Sequence, residues 1–125
     1  MLKKEIYQRY RDGLNGLPIT MNPYLPETEP NFWLSCILID REAMDKVNPE
    51  KLRLALEAEN IEARPIWKPM HLQPVFADRD FVCVDGDVSA DIFARGLCLP
   101  SDIKMTAEQQ ERVIRVIRDC FEKGV

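Results

Sequence analysis

The sequence predicts a small α+β domain in which helices pack on a short, mainly antiparallel sheet. Helical and strand-like segments alternate along 125 residues, each helical segment carries one apolar stripe, and the strand-like segments are short and apolar. A chain of this length forms a single core that buries roughly 65 to 70% of the surface of the unfolded chain. We therefore predict one domain over residues 1–125.

Apolar residues every four positions predict an amphipathic helix over residues 2–14, which Gly13, Gly16 and Pro18 bring to an end. Residues 17–31 are rich in proline and have no helical period, which predicts an extended, irregular connection. Residues 32–39 are aromatic and β-branched without strict alternation. This pattern favours a central strand that is covered on part of both faces.

The middle of the chain predicts one helix and one edge segment. Asn48 before Pro49 is a helix cap followed by proline at the first helical position. Residues 61–67 return as an extended edge segment, because an edge strand tolerates Pro65. Residues 77–86 are polar, and their apolar stretch 81–84 fits either a marginal strand or a loop.

The last third of the chain predicts a helix, a strand and a final helix. Asp87 or Ser89 can cap a helix that Gly96 ends, and residues 97–99 follow as a short buried strand. Thr106 and Gln109 have the spacing of a capping box for the final helix. Its apolar stripe predicts an inner face, and its arginines predict a solvated outer face.

Composition argues against several classes of function. The chain has 17 Lys and Arg against 21 Asp and Glu, a formal net charge of −4, and no dense basic stripe, so we do not expect a nucleic-acid partner. The longest apolar run falls far short of the ~20 residues that span a bilayer, and the N-terminus lacks a signal-peptide core. We expect a cytoplasmic protein with no membrane partner.

The four cysteines predict reduced structural thiols. Cys36, Cys83, Cys98 and Cys120 are far apart, form no CxxC pair and lie mostly among apolar residues. A zinc site and a secreted, disulfide-bonded protein are the minor alternatives, and we expect no metal.

The candidate binding site is the segment of residues 64–76, which holds the only histidine, one of two tryptophans and three prolines. Its prolines fix the backbone in a presented shape. Trp67 offers a flat apolar face, Lys68 a positive charge and His71 a hydrogen-bonding ring, which suits an anionic, ring-containing ligand. If residues 68–73 form a helical turn, Lys68 and His71 share one side. The alternative is a buried Trp67, a solvated Lys68 and a His71 bonded to backbone.

Asp85, Gly86 and Asp87 predict a turn followed by a helix cap, because the rest of a calcium-binding loop is absent.

Three motifs resemble the C-terminal domain of DegT/DnrJ/StrS-type sugar aminotransferases: RPIWKPMHLQPVF at 64–76, DVS at 87–89 and GLCLPS at 96–101. The strand near residues 31–36 and the helix after Pro49 also fall where that family places its first small-domain elements. The form of the first motif is most similar to enzymes that aminate a UDP-linked 4-keto-6-deoxy-N-acetylhexosamine on bacillosamine-type pathways.

The resemblance implies a fold-type I enzyme that uses pyridoxal phosphate and L-glutamate and works as a homodimer. It implies that residues 1–16 link toward a catalytic large domain, which this chain lacks together with the Schiff-base lysine. We therefore expect no catalytic residue, no bound cofactor and no activity in these 125 residues alone. Substrate binding is expected from Trp67, Lys68, Met70 and His71, with Arg64 a weaker candidate. A stand-alone sugar-nucleotide-binding or protein-interaction module is the alternative.

Overall fold

A computed structural model describes residues 2–124 and has the α+β architecture that the sequence predicts. The helices are α1 (Leu2–Gly13), α2 (Pro49–Ala58), α3 (Val88–Arg95) and α4 (Ala107–Lys123). The strands are β1 (Ile19–Met21), β2 (Ser35–Ile39), β3 (Arg64–Pro65) and β4 (Gly96–Leu99). They form one sheet in the order β1-β2-β4-β3, and every neighbouring pair is antiparallel.

The inner face of the sheet carries the core. Ile37 of β2 lies opposite Leu97 of β4, and Ile39 lies opposite Ile19 of β1. Alternate residues of a strand point to opposite faces, so one row of side chains is buried beneath the helices. The buried cluster joins this row to residues of α1, α2 and α4, whereas α3 contributes no buried side chain to it.

Polar contacts fix α1 and α4 on this core. Thr106 and Gln109 form the predicted capping box at the start of α4. The buried Gln110 donates from Nε2 to the carbonyl of Ile6 at 2.7 Å, and the fully buried Tyr10 donates its hydroxyl to the carbonyl of Pro100 at 2.8 Å. The first helix is therefore an integral part of the core, and its role as a link to another domain stays a prediction.

The outer face carries Cys36 of β2 and Cys98 of β4, which lie directly opposite each other. Gly96 lies on the same face, and a Cβ built on it would meet the side chain of Ile66 and the carbonyl oxygen of Ile92. The end of α3 and the chain leaving β3 therefore approach the sheet from this side. This close approach brings the candidate binding segment onto the outer face.

Three predictions of strand extent are corrected by the structure. Residues 17–31 contain β1, which pairs with β2 although its three residues carry too little periodicity to be recognised. The central strand begins at Ser35 and not at residue 32, because Phe32 has a φ of 51° that extended pairing does not allow. Only Arg64–Pro65 of the extended segment 61–67 pairs with the sheet.

The remaining element predictions agree with the structure in type. The open question over residues 77–86 resolves as a loop, and Asp87 rather than Ser89 caps α3. Cys98 and Cys120 are buried and Cys36 is half-buried, but Cys83 is exposed, so the prediction of packed thiols is wrong for Cys83. No helix within residues 2–124 has the length and apolar character needed to cross a membrane.

Candidate functional site

The candidate segment is held in a shape that short turns define. After β3 the chain passes Pro69 into a 3-10 turn at Met70–Leu72, and a second 3-10 turn follows at Pro74–Phe76. Gln73 stands between the two turns and donates from Nε2 to the carbonyl of Lys68 at 3.3 Å. Rigid local geometry, rather than burial, therefore sets the conformation of this segment.

An exposed pair of tryptophans lies at the start of the segment. The ring of Trp67 is 6.0 Å from that of Trp33 at an interplanar angle of 43°, and the two residues are 66% and 62% exposed. Lys3 of α1 donates from Nζ to the carbonyl of Trp33 at 3.1 Å. The alternative of a buried Trp67 is therefore wrong, and two adjacent indole faces are open to a ligand.

His71 is anchored to the cap of α3. Its Nε2 lies 2.5 Å from Oδ2 of Asp87, and its ring stacks on Phe81 with centroids 4.0 Å apart and planes 15° from parallel. The other carboxylate oxygen of Asp87 accepts from the backbone N–H of Ala90 at 3.0 Å and from the hydroxyl of Ser89 at 2.9 Å. One carboxylate thus caps the helix and holds the imidazole.

The charge state of Asp87 determines which partner donates in its hydrogen bond with His71. The backbone N–H of Ala90, assisted by His71 and Ser89, lowers the pKa of the Asp87 carboxyl below its ordinary value. An ionised carboxylate only accepts, so Nε2 of His71 carries the proton and donates it. The side chain of His71 is 15% exposed, and Nδ1 is the ring nitrogen left for another partner.

Lys68 and Met70 extend the exposed surface. Lys68 precedes the first 3-10 turn, so the helical turn over residues 68–73 that would align it with His71 does not form. Among the described residues, the Lys68 ammonium has no hydrogen-bond or ion-pair partner. Met70 is 60% exposed, with its sulfur accepting from Nε2 of Gln73 at 3.5 Å.

Arg64 belongs to a different part of the surface. It pairs with Glu62 at 2.7 Å and lines a cavity of about 620 Å³ whose wall also includes Cys98, Lys104 and Arg112. Trp67, Lys68, Met70 and His71 do not line this cavity. The five predicted residues therefore fall into two groups, with Arg64 at the cavity and the other four on the exposed segment.

Three contributing residues were missed as parts of the site. Trp33 was assigned to the central strand, Phe81 to an unresolved strand or loop, and Asp87 only to a helix cap. Asp87 carried a usable signal, because an N-cap aspartate uses one carboxylate oxygen and leaves the second free for the only histidine of the chain. Trp33 contacts Trp67, and Phe81 contacts His71, but neither spacing in the sequence is one that predicts a contact.

The arrangement of these side chains can bind and orient a ligand. The segment holds an imidazole whose orientation Asp87 fixes, and it also exposes an indole that pairs with that of Trp33. Each lysine of residues 2–124 is exposed or half-buried, so this part of the chain holds no buried amine set beside an acidic partner.

Comparisons with known proteins identify the family of the chain. The model of the DegT/DnrJ/EryC1/StrS aminotransferase family matches residues 2–118. EpsN of Bacillus subtilis (strain 168), which is assigned as a pyridoxal phosphate-dependent aminotransferase, is 37% identical over 122 residues. The GDP-perosamine synthase of Vibrio cholerae is 29% identical over 122 residues. Each alignment covers 95% of this chain but only 30% and 32% of these two relatives.

Solved structures share the fold. A DegT DnrJ EryC1 StrS aminotransferase from Brucella abortus superposes with a TM-score of 0.77 at 26% identity and covers 97% of this chain and 31% of its own. PseC of Helicobacter pylori gives a TM-score of 0.81 at 16% identity, with 98% and 32% covered, which supports the fold alone. The chain thus spans about a third of the length of the proteins that it matches.

Proposed function

This chain belongs to the DegT/DnrJ/EryC1/StrS aminotransferase family, and on that premise we propose that it forms the small domain of a sugar aminotransferase. In the proposal, the whole enzyme is a cytoplasmic homodimer that transfers an amino group from L-glutamate to a UDP-linked 4-keto-6-deoxy-N-acetylhexosamine. The domain forms one wall of the sugar-nucleotide cleft and closes over it. The name of one relative, GDP-perosamine synthase, supports a nucleotide-linked sugar as the class of substrate.

The observation that carries this proposal is a set of exposed apolar side chains on and beside the segment that also holds an anchored histidine. Trp33, Trp67 and Met70 are each at least 60% exposed although their side chains are apolar. Exposed apolar groups that cluster beside a polar anchor mark binding surfaces. Because His71 is fixed by Asp87 and Phe81, a ligand meets a surface whose polar group is already oriented.

Each side chain has a part in the proposed recognition. Trp67 stacks on the sugar or base, with Met70 adding apolar contact area. Lys68 places its ammonium against the diphosphate. His71 uses Nδ1 to bond a sugar hydroxyl while Nε2 remains on Asp87. Arg64 braces β3 or reaches a more distant part of the ligand, consistent with its separate position.

In the proposal, the site for pyridoxal phosphate lies outside this chain. Such a site needs a lysine to bind the cofactor's aldehyde and an acidic partner for its pyridine nitrogen. The described lysines are exposed or half-buried, and Lys3, Lys51 and Lys123 are already held by carbonyl or carboxylate oxygens. The proposal therefore assigns the cofactor to the remaining two thirds of a full-length enzyme.

A domain-exchange experiment tests the proposal. We replace the matching C-terminal region of EpsN with this chain and follow conversion of the cofactor's absorbance by L-glutamate, then its return on addition of the UDP-linked keto-sugar. The proposal predicts both conversions in the chimera and neither in the isolated chain. A folded chimera that reacts with glutamate but not with any nucleotide-linked keto-sugar would contradict it.

Titration of the isolated chain with a UDP-sugar distinguishes the small-domain proposal from the alternative of a stand-alone binding module. Trp33 and Trp67 are its only tryptophans and both lie at the site, so their emission reports ligand there. Half of a cleft should bind a UDP-sugar weakly, because the other wall is missing. Tight binding by the isolated chain would favour a stand-alone sugar-nucleotide module.

A further inference from the structure

Two cysteines lie side by side on the outer face of the sheet. Cys36 and Cys98 are directly opposite residues of β2 and β4, and their sulfur atoms are 3.5 Å apart. They are 62 positions apart in the sequence, so only the strand pairing brings them together. Cys83 is exposed and Cys120 is buried in α4, away from this pair.

The backbone defines what kind of pair this is. The N–H of Cys36 donates to Oδ1 of Asn22, and its carbonyl accepts from the N–H of Asn22. Both groups therefore point toward β1 and away from β4, which makes Cys36 and Cys98 a non-hydrogen-bonded pair. Such pairs have Cα atoms about 4.5 Å apart. That separation lies at the short end of the range of roughly 4.4–6.8 Å over which disulfides bridge two residues.

One of the two cysteines borders a cavity, although Cys98 itself is only 6% exposed. Cys98 contributes to the wall of the 620 Å³ cavity, which is open to solvent beside the edge strand β3. Cys36 is half-buried and not sealed in the core. The only other contact of the Cys98 sulfur within hydrogen-bonding range is a long one of 3.9 Å to the carbonyl of Pro65.

The two thiols also differ in acidity. The hydrogen bond from Cys36 lowers the pKa of the Cys98 thiol against the opposing effect of burial. The same contact, together with burial, raises the pKa of the Cys36 thiol. The contact between the two sulfur atoms thus favours one ionised thiol at the pair, and thiolates are the attacking species in thiol–disulfide exchange.

We infer that Cys36 and Cys98 are a reversible modification site at which a small-molecule disulfide forms an intramolecular bond between β2 and β4. The Cys98 thiolate attacks the reagent RS–SR, whose S–S bond breaks to give Cys98–S–SR and a released RS⁻. Cys36 then loses its proton and attacks Cys98 Sγ, releasing the second RS⁻. Two RSH are formed for each protein disulfide, and the reagent is the species reduced. This inference is independent of the proposed function.

The test uses the full 125-residue chain with Cys83 replaced, because Cys83 is exposed and reacts on its own. The Cys83→Ser variant keeps three of the four cysteines. We incubate it with excess glutathione disulfide, measure its intact mass, and count free thiols after denaturation. The inference predicts the loss of two hydrogen atoms, a fall from three free thiols to one, and a peptide map that joins residues 36 and 98. Dithiothreitol restores all three thiols.

Matched variants and an unsubstituted chain control the result. Cys36→Ser and Cys98→Ser, each in the Cys83→Ser chain, should form no internal disulfide, and Cys36→Ser should instead gain one glutathionyl group at Cys98 in exchange for its thiol hydrogen. The wild-type chain with Cys83 alkylated repeats the test without a substitution. Three thiols that remain free, a stable glutathione adduct on the intact pair, or a bond that involves Cys120 would each overturn the inference.

Discussion

The inner face of the sheet and the binding segment on the other side are built in opposite ways. Ile37, Ile39 and Leu97 are at most 1% exposed and share their core with three helices. The binding segment 64–76 has no buried residue, and turns, prolines and a few specific contacts set its shape. The core is therefore stabilised by apolar area, whereas the segment depends on individual contacts.

The largest effect should come from truncating the core. Leu52 of α2 is fully buried, so Leu52→Ala removes buried methyl groups and leaves a cavity. We expect it to lower the free energy of unfolding by about 2–5 kcal/mol in urea denaturation. The matched variant Leu72→Ala, in the binding segment at 40% exposure, should cost at most about 1 kcal/mol. Equal losses would contradict the contrast between the two regions.

A steric change where the regions meet should have the next largest effect. Gly96 has an ordinary extended backbone, but an added Cβ would lie 2.6 Å from the carbonyl oxygen of Ile92 and would also contact Ile66. We expect Gly96→Ala to cost about 1–3 kcal/mol by overpacking, measured by thermal and urea unfolding.

A double variant identifies which contact causes this cost. Ile66→Ala relieves only the side-chain contact, so Ile66→Ala in the Gly96→Ala chain should not restore the stability of the wild type. Wild-type stability in Gly96→Ala itself would mean that α3 and β4 are less closely packed than the structure shows.

The contact between His71 and Asp87 should affect the segment without affecting the core. Asp87→Asn keeps an acceptor for the cap of α3 but removes the charge that holds His71. We expect amides of residues 70–76 to exchange with solvent several-fold faster, with little change at the start of α3. Asp87→Ala should accelerate exchange in both regions. Unchanged exchange at 70–76 in both variants would show that the contact does not hold the segment.

The same contact predicts a pH dependence of known sign. The pKa of Asp87 is lowered in the folded chain, so the contribution of its carboxylate is present above the ordinary aspartate value of about 3.9. It is lost as the pH falls through the lowered value. The amide chemical shift of Ala90, whose N–H donates to Asp87, should therefore show an acid-side change only below about pH 4. Asp87→Asn should abolish that acid-side change.

The smallest effect on stability should come from Arg64. Its side chain is 77% exposed and pairs with an equally exposed Glu62, and such ion pairs contribute little. We expect Arg64→Ala to change the free energy of unfolding by less than about 0.5 kcal/mol, as Glu62→Ala should. A larger loss for Arg64→Ala than for Glu62→Ala would indicate that Arg64 braces β3 through contacts other than this pair.

Features that depend on local sequence were predicted, whereas features that depend on distant partners were not. The helices were predicted because their caps and apolar stripes are local, as with Asn48 before α2 and Thr106 before α4. β1 was missed because its three residues become a strand only by pairing with β2. Short strands carry little local signal, so their bounds depend on partners that are distant in the sequence.

The candidate site also divides into residues that the local sequence located and contacts that it did not predict. The sequence located Trp67, Lys68, Met70 and His71 because prolines and polar groups concentrate around them. It could not separate Arg64 from them, since neighbours on an edge strand can face different surfaces. The pairing of Cys36 with Cys98 arises from the antiparallel register, and the contact of Trp67 with Trp33 joins residues outside the strands; neither leaves a trace in local spacing.

The central claim is that the exposed segment 64–76 recognises the sugar nucleotide in a family enzyme. The most direct measurement compares the two half-reactions in the EpsN chimera that carries this chain, with Lys68→Ala and His71→Ala as variants and Arg112→Ala as an exposed control outside the segment. The account predicts that both variants slow the reaction with the UDP-linked keto-sugar at least tenfold, about 1.4 kcal/mol, and leave the glutamate half-reaction within about twofold. Equal losses in both half-reactions, in variants that remain folded, would contradict it.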